Sequence, residues 1–524
     1  MCERPSNMKV LIIGLDMGDG KLIRHWSKQG RLPHFSKLIG SGMWSDLESP
    51  TRVLHTSGWP TFATGASPGA HGVYYPYQAK PGRQVASHIE PDQYGVPTLW
   101  KTASDQGARC VIYDIPETFP ETGLQGTAVY DWGTWAWYGT PASQPANVLL
   151  DMKRKFGPYP LGMEAKRLGL RIPETRDLES RLVKSIRYKF QTFQWLLGRD
   201  SWDLAAVGLC ETHPAGHYLW PADIDSVEKS DPGQFAQIFH VYETLDAELG
   251  ALAGRLDGQT TLMVLSTDGV RSNRVACHLL APMLEKLGYT AGLAGNGNPQ
   301  SGAPRSLLGR ARHMMPPGAK RWIADNLPWW LRDRLGSQAA ASEIDWTRTK
   351  AFTLPTDLEG CIRINLKGRE PQGIVEPGKG YQEVCDAIGN DLKALTNPAT
   401  GKRAVKEVWI RNEVFPGKQQ EYLPDIVATW NDDAPFAALV SPRAGQVAGV
   451  NPDQRTGTHS PEAFLLSVGP NQPAGISPSA RLVDVAPTVL KLLGLKPGKE
   501  MEGKPTIFQP TDNTSPSDQP VLSV

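Results

Sequence analysis

The chain of 524 residues has almost no excess of either charge, with 55 basic side chains against 54 acidic ones, and its six cysteines form no CxxC pair. A formal net charge of +1 gives no electrostatic reason to expect a nucleic-acid polymer or an acidic membrane surface as partner. No apolar run approaches the length of a membrane span. The opening, MCERPSNMKVLIIGLD, carries no apolar segment followed by a small-residue cleavage site. Cys2, Cys110, Cys210, Cys277, Cys361 and Cys385 stand far apart and read as free, mostly buried thiols of a reducing compartment. These absences lead to the expectation of a cytoplasmic protein with no disulfide framework.

What the chain does have is a recurring apolar run closed by a polar residue. KVLIIGLD is such a run, ending in Asp16, as expected of a parallel strand buried on both faces. ARCVIYD, DLAAVGLC, TTLMVLSTD and AFLLSVG repeat the pattern. Helical periodicity fills the intervals, in LESRLVKSIRYKFQTFQWLLG and FAQIFHVYETLDAELGALAGRL. The alternation predicts an α/β fold: a largely parallel central sheet with helices on both faces and its chemistry at the carboxyl ends of the strands. Two segments break the rhythm, an aromatic one from Tyr130 to Gln144 and a polar, then basic one from about Asn296 to Ser342. Both read as lid-like excursions.

Polar residues stand where the strands end. Asp16 closes the first; ETHPAGHYLW follows DLAAVGLC and places His213 and His217 four apart; Asp268 follows TTLMVLST; His459 precedes AFLLSVG. Each alone reads as a helix cap or a satisfied polar group. A histidine pair at i, i+4 is a better metal signal, although Pro214 and Gly216 between them speak against a helix there. Converging on one sheet edge, the set points to a metal centre. Upstream, LHTSGWPTFATGASPGAHGVYY puts His55, Thr56 and Ser57 before Pro60, a residue at home in a first helical turn. Thr56 or Ser57 reads either as an N-cap or as a reactive hydroxyl at a helix start that favours an anion.

In these motifs the sequence resembles the alkaline phosphatase superfamily, and within it the type I phosphodiesterases and nucleotide pyrophosphatases. VLIIGLD, GRLPHFSKLIGSGMWSDLESP, WPTFATGASPGAHGVY, ETHPAGHYLW, STDGV, CIRINLKGREPQGIVEPG, LPDIVATW and GTHSPEAFLLSVGP follow the family's order almost end to end. The resemblance implies one catalytic domain over 1–508, with insertions near 130–175 and 296–345 and a disordered tail over 509–524. It implies a hydroxyl nucleophile, divalent metal ions and a small phosphorylated substrate. Asp16, His213, His217, Asp268 and His459 fall on metal-ligand positions.

The sequence also departs from the family. The usual nucleophile position, four before Trp59, holds His55, so either Thr56 attacks from one place later or His55 has replaced the nucleophile. The aspartate expected in the first metal site is His213, which leaves three imidazoles, a set suited to zinc. The Asp-His pair of the second site reads Thr267-Asp268, which leaves Asp16 and Asp268 for magnesium, manganese, calcium or a second zinc. Arg271, close after Asp268, is a candidate phosphate contact, and Trp135 a candidate stacking surface for an organic group. His71 reads as structural. The expected activity is phosphoric-ester hydrolysis, as a phosphodiesterase or nucleotide pyrophosphatase. The alternatives are a phosphonate hydrolase or phosphotransferase on the same fold, or a non-catalytic metal- and nucleotide-binding relative. A sulfatase is disfavoured, because no CxPxR-type motif occurs near Cys2.

Overall fold

The structure is a computed structural model that describes residues 8–133, 141–161, 177–292 and 342–505, apart from positions 223, 225, 228, 229, 471, 478 and 479, together with 314–316 and 319. Among the described residues the main sheet has ten strands. In chain order they are β1 (Lys9–Leu15), β2 (Met43–Glu48), β3 (Cys110–Tyr113), β4 (Gly126–Tyr130), β5 (Ala142–Gln144), β6 (Leu204–Leu209), β7 (Thr260–Ser266) and β8 (Ala463–Val468), with the short pieces Gly475–Ile476 and Ala480–Arg481 beside β2. The order β2-β8-β7-β1-β6-β3-β4-β5 keeps β7, β1, β6, β3 and β4 mutually parallel. Only β8 and β5 run against their neighbours. The apolar runs at Lys9, Cys110, Leu204 and Thr260 are therefore the central parallel strands, as their two-sided hydrophobicity predicts.

Period-2 alternation sends successive residues of β1 into two separate cores. Leu11, Ile13 and Leu15 pack on one face with the helices α2 (Leu178–Leu197) and α4 (Ala236–Ala253). Val10 and Ile12 pack on the other, against Trp59 and Phe62 of α1 (Gly58–Thr64) and against α5 (Val485–Leu492). The remaining helix of importance, α3 (Thr212–Tyr218), follows β6 at its carboxyl end.

A second, antiparallel sheet orders Ala351–Thr353, Gly360–Ile364, Ile426–Trp430 and Val405–Ile410 and has its own apolar core. Its buried charges are matched: Asp425, fully buried, takes both terminal nitrogens of Arg369 at 2.8 and 2.6 Å. Burial would raise the Asp425 carboxyl, but Arg369 and the neighbouring guanidiniums outweigh it and hold the group at about 2. That firmness matters because the turn entering Gly360–Ile364 carries Asp357 and Glu359 toward the main sheet. The cysteines at 110, 210, 277, 361 and 385 are free thiols, four of them buried. Of the expected insertion near 130–175, residues 134–140 and 162–175 lie outside the described residues, while Tyr130 and Ala142–Gln144 belong to paired strands of the main sheet rather than to a lid; most of 296–345 and the expected tail at 509–524 lie outside the described residues.

Candidate metal centre and nucleophile loop

The carboxyl ends of β1, β3, β6 and β7 open into a cavity of about 320 Å³. Thr56, the candidate nucleophile, lines it together with Asp16, His213, His217, Asp268 and His459, the five candidate ligands. The topology brings them there: consecutive parallel strands deliver their following loops to one edge.

His213 and His217 lie on α3 despite Pro214 and Gly216. Proline is tolerated there because it falls within the first turn, where backbone N–H groups have no intrahelical partner. Glycine at 216 is needed because Val270 leaves no room for a side chain, and a strand, Gly457–Ser460, presses on the helix so closely that Gly457 too must be glycine. A Cβ at Gly457 would lie 2.0 Å from the Gly216 carbonyl, and one at Gly216 would lie 2.9 Å from Val270 Cγ2. The same close approach lets His217 Nδ1–H donate to the Gly457 carbonyl at 2.9 Å. With that proton placed, His217 Nε2 turns its lone pair inward.

His459, on the pressing strand, is oriented likewise. Its Nδ1 faces Asp268 Oδ2 in a short hydrogen bond, which leaves Nε2 directed into the cavity. His213 Nε2 lies 3.2 Å from His217 Nε2 and 3.3 Å from His459 Nε2. A tetrahedral ion bound at about 2.0–2.1 Å spaces its nitrogen ligands roughly 3.3 Å apart. The three imidazoles therefore fit one divalent ion. Burial, reinforced by the neighbouring His459 and Arg455, pushes His213 well below the usual imidazole range, and burial with Arg455 does the same for His217. Both are thus neutral near pH 7, the form that ligates metal. Arg455 Nη1 stands 3.2 Å from His217 Nε2 and donates to Asp357 Oδ2 at 2.8 Å.

The expected second site is less assembled. Among the described residues, His213, His217 and His459 form the one group of three or more His, Cys, Asp or Glu whose ligand atoms lie within 4.8 Å of one another. Asp268 is engaged with His459. Asp16 Oδ1 accepts the Trp59 indole N–H at 2.9 Å, and burial followed by the charge of Asp268 pushes its carboxyl up to about 8.

The nucleophile loop forms a 3₁₀ turn, His55–Ser57, leading directly into α1. Neither hydroxyl caps that helix: Ser57 occupies the N-cap position, but its Oγ donates to the Leu54 carbonyl at 2.6 Å. The reason is local, since a turn that is already helical leaves Ser57 in the αR region with its side chain folded back. Thr56 is half-buried and its Oγ1 lies 3.5 Å from His55 Nε2. His55 is committed on both ring nitrogens, with Nδ1 2.8 Å from Glu359 and Nε2 3.0 Å from Asp357. Burial would lower the imidazole, but these two carboxylates outweigh it and hold His55 well above the usual range. Each ring nitrogen of His55 thus faces a carboxylate.

Arg271 is not brought to this cavity. Its Nε donates to the His459 carbonyl at 3.0 Å and its Nη1 to Asp432 at 2.9 Å, on the far side of the His459 strand. It borders a separate polar groove with Lys21, Asp432 and Glu462. Trp135 lies outside the described residues. Its neighbour Trp132 is a core residue whose indole donates to Tyr188. His71 accepts the Val73 N–H on Nδ1 and bonds Thr61 Oγ1 through Nε2, a structural role next to Gly72 in its left-handed conformation at φ +77.

Sequence reasoning missed Asp357, Glu359, Arg455 and Glu117. The i, i+2 spacing of the first two, at the mouth of a strand, puts both acids on one side and is the signal that was present.

Three comparisons bear on this geometry. A family model for type I phosphodiesterase / nucleotide pyrophosphatase matches residues 10–459. A comparison with curated proteins finds no match. Among solved structures, phosphonoacetate hydrolase from Sinorhizobium meliloti 1021, in complex with phosphonoformate, aligns at 13% identity over 93% of this chain and 96% of that one, with a TM-score of 0.52. Murine ectonucleotide pyrophosphatase / phosphodiesterase 5, an inactive form in complex with AMP, aligns at 14% identity over 94% and 96%, with a TM-score of 0.47. At such identity the likeness to the phosphonoacetate hydrolase is one of fold.

Proposed function

The chain belongs to the type I phosphodiesterase / nucleotide pyrophosphatase family, within the alkaline phosphatase superfamily, and on that premise we propose that it is a metal-dependent hydrolase of small phosphoric esters, a phosphodiesterase or nucleotide pyrophosphatase. The observation that carries this reading is the convergence of three imidazole Nε2 atoms in a cavity that Thr56 also lines. His213, His217 and His459 would hold the ion, zinc or another borderline transition metal; once bound, it supplies positive charge that polarises a phosphoryl oxygen.

The chain's own groups divide the rest. Thr56 is the nucleophile: its Oγ–P bond forms as the ester O–P bond breaks, its proton passes to a carboxylate of the cavity wall and on to the departing alcohol, and water then breaks the Oγ–P bond, restoring the Thr56 hydroxyl and releasing the phosphate product. His55 positions Thr56 by its bonds to Glu359 and Asp357. Asp268 sets the tautomer of His459. Asp16, anchored on Trp59, lines the cavity opposite and is the candidate ligand for any second ion.

The test is an assay of zinc-, manganese- and magnesium-loaded protein on nitrophenyl mono- and diesters, nucleotide pyrophosphates and a matched phosphonate. Turnover of a diester or pyrophosphate that is lost in Thr56→Ala supports the reading. Absence of turnover with every metal and every ester removes it, and turnover of the phosphonate alone replaces it.

A further inference from the structure

Arg455 reaches the histidine cluster and has no part in the roles above. Among the described residues that line the cavity it is the one lysine or arginine, beside five carboxyl side chains, Asp16, Glu117, Asp268, Asp357 and Asp453. An anionic ester meets repulsion from every ionised acid of such a wall, so a cation placed near its phosphorus bears directly on whether it is held. The Arg455 side chain keeps 13% of its surface exposed, and a ligand in the cavity can meet it.

The guanidinium is set in place from the backbone outward. The Thr456 N–H donates to the His217 carbonyl at 3.0 Å, which docks this segment on α3. Asn273 Nδ2 donates to the Arg455 carbonyl at 3.0 Å and to Asp453 Oδ2 at 2.9 Å. Asp453 in turn takes Arg455 side on, with Nε 2.8 Å from both carboxylate oxygens and Nη2 2.7 Å from Oδ2. A planar fork held along that edge is fixed in orientation, which a lysine ammonium would not be.

Its five N–H donors can be accounted for one by one. The Nε hydrogen and one on Nη2 go to Asp453. One on Nη1 goes to Asp357 Oδ2 at 2.8 Å. The other Nη1 hydrogen faces His217 Nε2 at 3.2 Å, the nitrogen whose lone pair is left by the Nδ1 bond to Gly457. The last, on Nη2, has no protein acceptor among the described residues. A lone pair given to a metal ion cannot also accept a hydrogen bond. With His217 as a ligand, two donors of one guanidinium therefore lack a protein acceptor, and two is the number with which an arginine grips a phosphoryl group.

We propose that Arg455 is a substrate-binding residue whose Nη groups donate to non-bridging phosphoryl oxygens beside the histidine cluster, and that the same guanidinium competes with metal for His217. No covalent bond changes in this contact and no proton leaves Arg455. The two bindings are thereby linked: a ligating His217 frees a donor for phosphate, and phosphate on that donor holds the guanidinium away from the His217 lone pair. The proposal rests on the phosphoric-ester reading and deepens it.

The experiment uses the full chain in three forms: wild type, Arg455→Met and Arg455→Lys. Methionine fills the stem without charge, and lysine keeps the charge without the fork. Inorganic phosphate is the probe for the zinc-loaded protein, its affinity read by calorimetry. Zinc affinity is read separately under a competing chelator, with and without phosphate. Phosphate affinity should fall about tenfold or more in Arg455→Met and by a smaller factor in Arg455→Lys. Zinc affinity in the absence of phosphate should rise about threefold or more in Arg455→Met, because a competing donor and a like charge are gone. Phosphate should tighten zinc in wild type more than in that variant. A merely structural role would lower both affinities together. A smaller loss of phosphate affinity in Arg455→Met, or a zinc affinity that falls with it, overturns the proposal, and turnover of a diester by wild type then leaves the esterase reading intact. If Arg455→Met does not fold, Arg455→Lys decides, and a phosphate affinity equal to wild type overturns the proposal. Phosphate binding that depends on Arg455 with no ester turned over keeps the contact and removes the esterase reading. A wild type that neither binds phosphate nor turns over any ester overturns both.

Discussion

Glu359 grips His55 twice: one carboxylate oxygen accepts the His55 backbone N–H and the other faces ring Nδ1, each at 2.8 Å. The second sheet thus reaches across to fix the turn that carries Thr56. If that grip positions a neighbouring nucleophile, the two loop residues must differ in kind. Thr56→Ala should lower kcat by about 10⁴-fold or more with the thermal transition unchanged. His55→Ala should lower it by roughly 10- to 100-fold and also lower Tm, because Glu359 is then left buried without its partner. Thr56→Ser should retain most of the rate. A larger loss in His55→Ala than in Thr56→Ala would make the histidine the reacting group.

If Asp268 sets the tautomer of His459, as their short hydrogen bond suggests, it acts on a bound ion through that ring. Asp268→Asn should therefore weaken metal affinity by about 10- to 100-fold while the number of ions bound per chain at saturation is unchanged. Titration with zinc under a competing chelator reads both quantities. Loss of one whole ion per chain in this variant would instead place Asp268 among the direct ligands.

The contact of the His459 strand with α3 predicts an effect from a residue that touches no metal. Gly457→Ala drives a methyl group against the Gly216 carbonyl, whose oxygen would lie 2.0 Å from the new Cβ. The strand must retreat from the helix, at a cost of about 1–3 kcal/mol, and the His217 Nδ1 bond to the Gly457 carbonyl goes with it. Both Tm and metal affinity should drop. An unchanged metal affinity would mean that His213, His217 and His459 do not depend on this packing.

Stability toward acid should depend in part on a histidine outside the cavity lining, alongside His213 and His217, whose imidazoles burial also lowers. Burial lowers the His71 imidazole from 6.5 to about 3. The unfolded chain therefore binds a proton that the folded chain refuses between those two values. Stability is full above about pH 6.5 and declines as pH falls toward 3, at up to roughly 1.4 kcal/mol per pH unit for this one group. In denaturant titrations across that window, His71→Gln should start less stable at pH 7 and show a shallower decline on acidification. A variant as steep as wild type would assign the acid sensitivity to other groups.

Much of this site could be read along the chain because each piece sits at the end of an apolar strand. Asp16, His213, His217 and Asp268 follow directly on runs that fold as β1, β6 and β7, and His459 stands two residues after Gly457 in a strand that packs on α3. Local pattern misjudged the helix over Thr212–Tyr218, because Pro214 and Gly216 look like breakers until the first-turn position and the Val270 contact are known. Arg271 is close to Asp268 in sequence, yet a two-stranded ribbon has two sides and the guanidinium leaves by the other. Asp357, Glu359 and Arg455 were harder to place for a different reason: the i, i+2 pair of acids can be seen in the chain, but what it faces cannot. They belong to turns whose partners are remote in the chain, 304 positions apart for His55 and Glu359 and 98 for Asp357 and Arg455, and only tertiary packing brings them together.

An ion held by His213, His217 and His459 is the centre of the proposed site. A crystal of the zinc-loaded protein, measured on both sides of the zinc absorption edge, gives an anomalous map of the site. The predicted result is a peak bonded to Nε2 of His213, His217 and His459 at about 2.0–2.1 Å. An empty histidine cluster with the peak bound instead between Asp16 and Asp268 would contradict it.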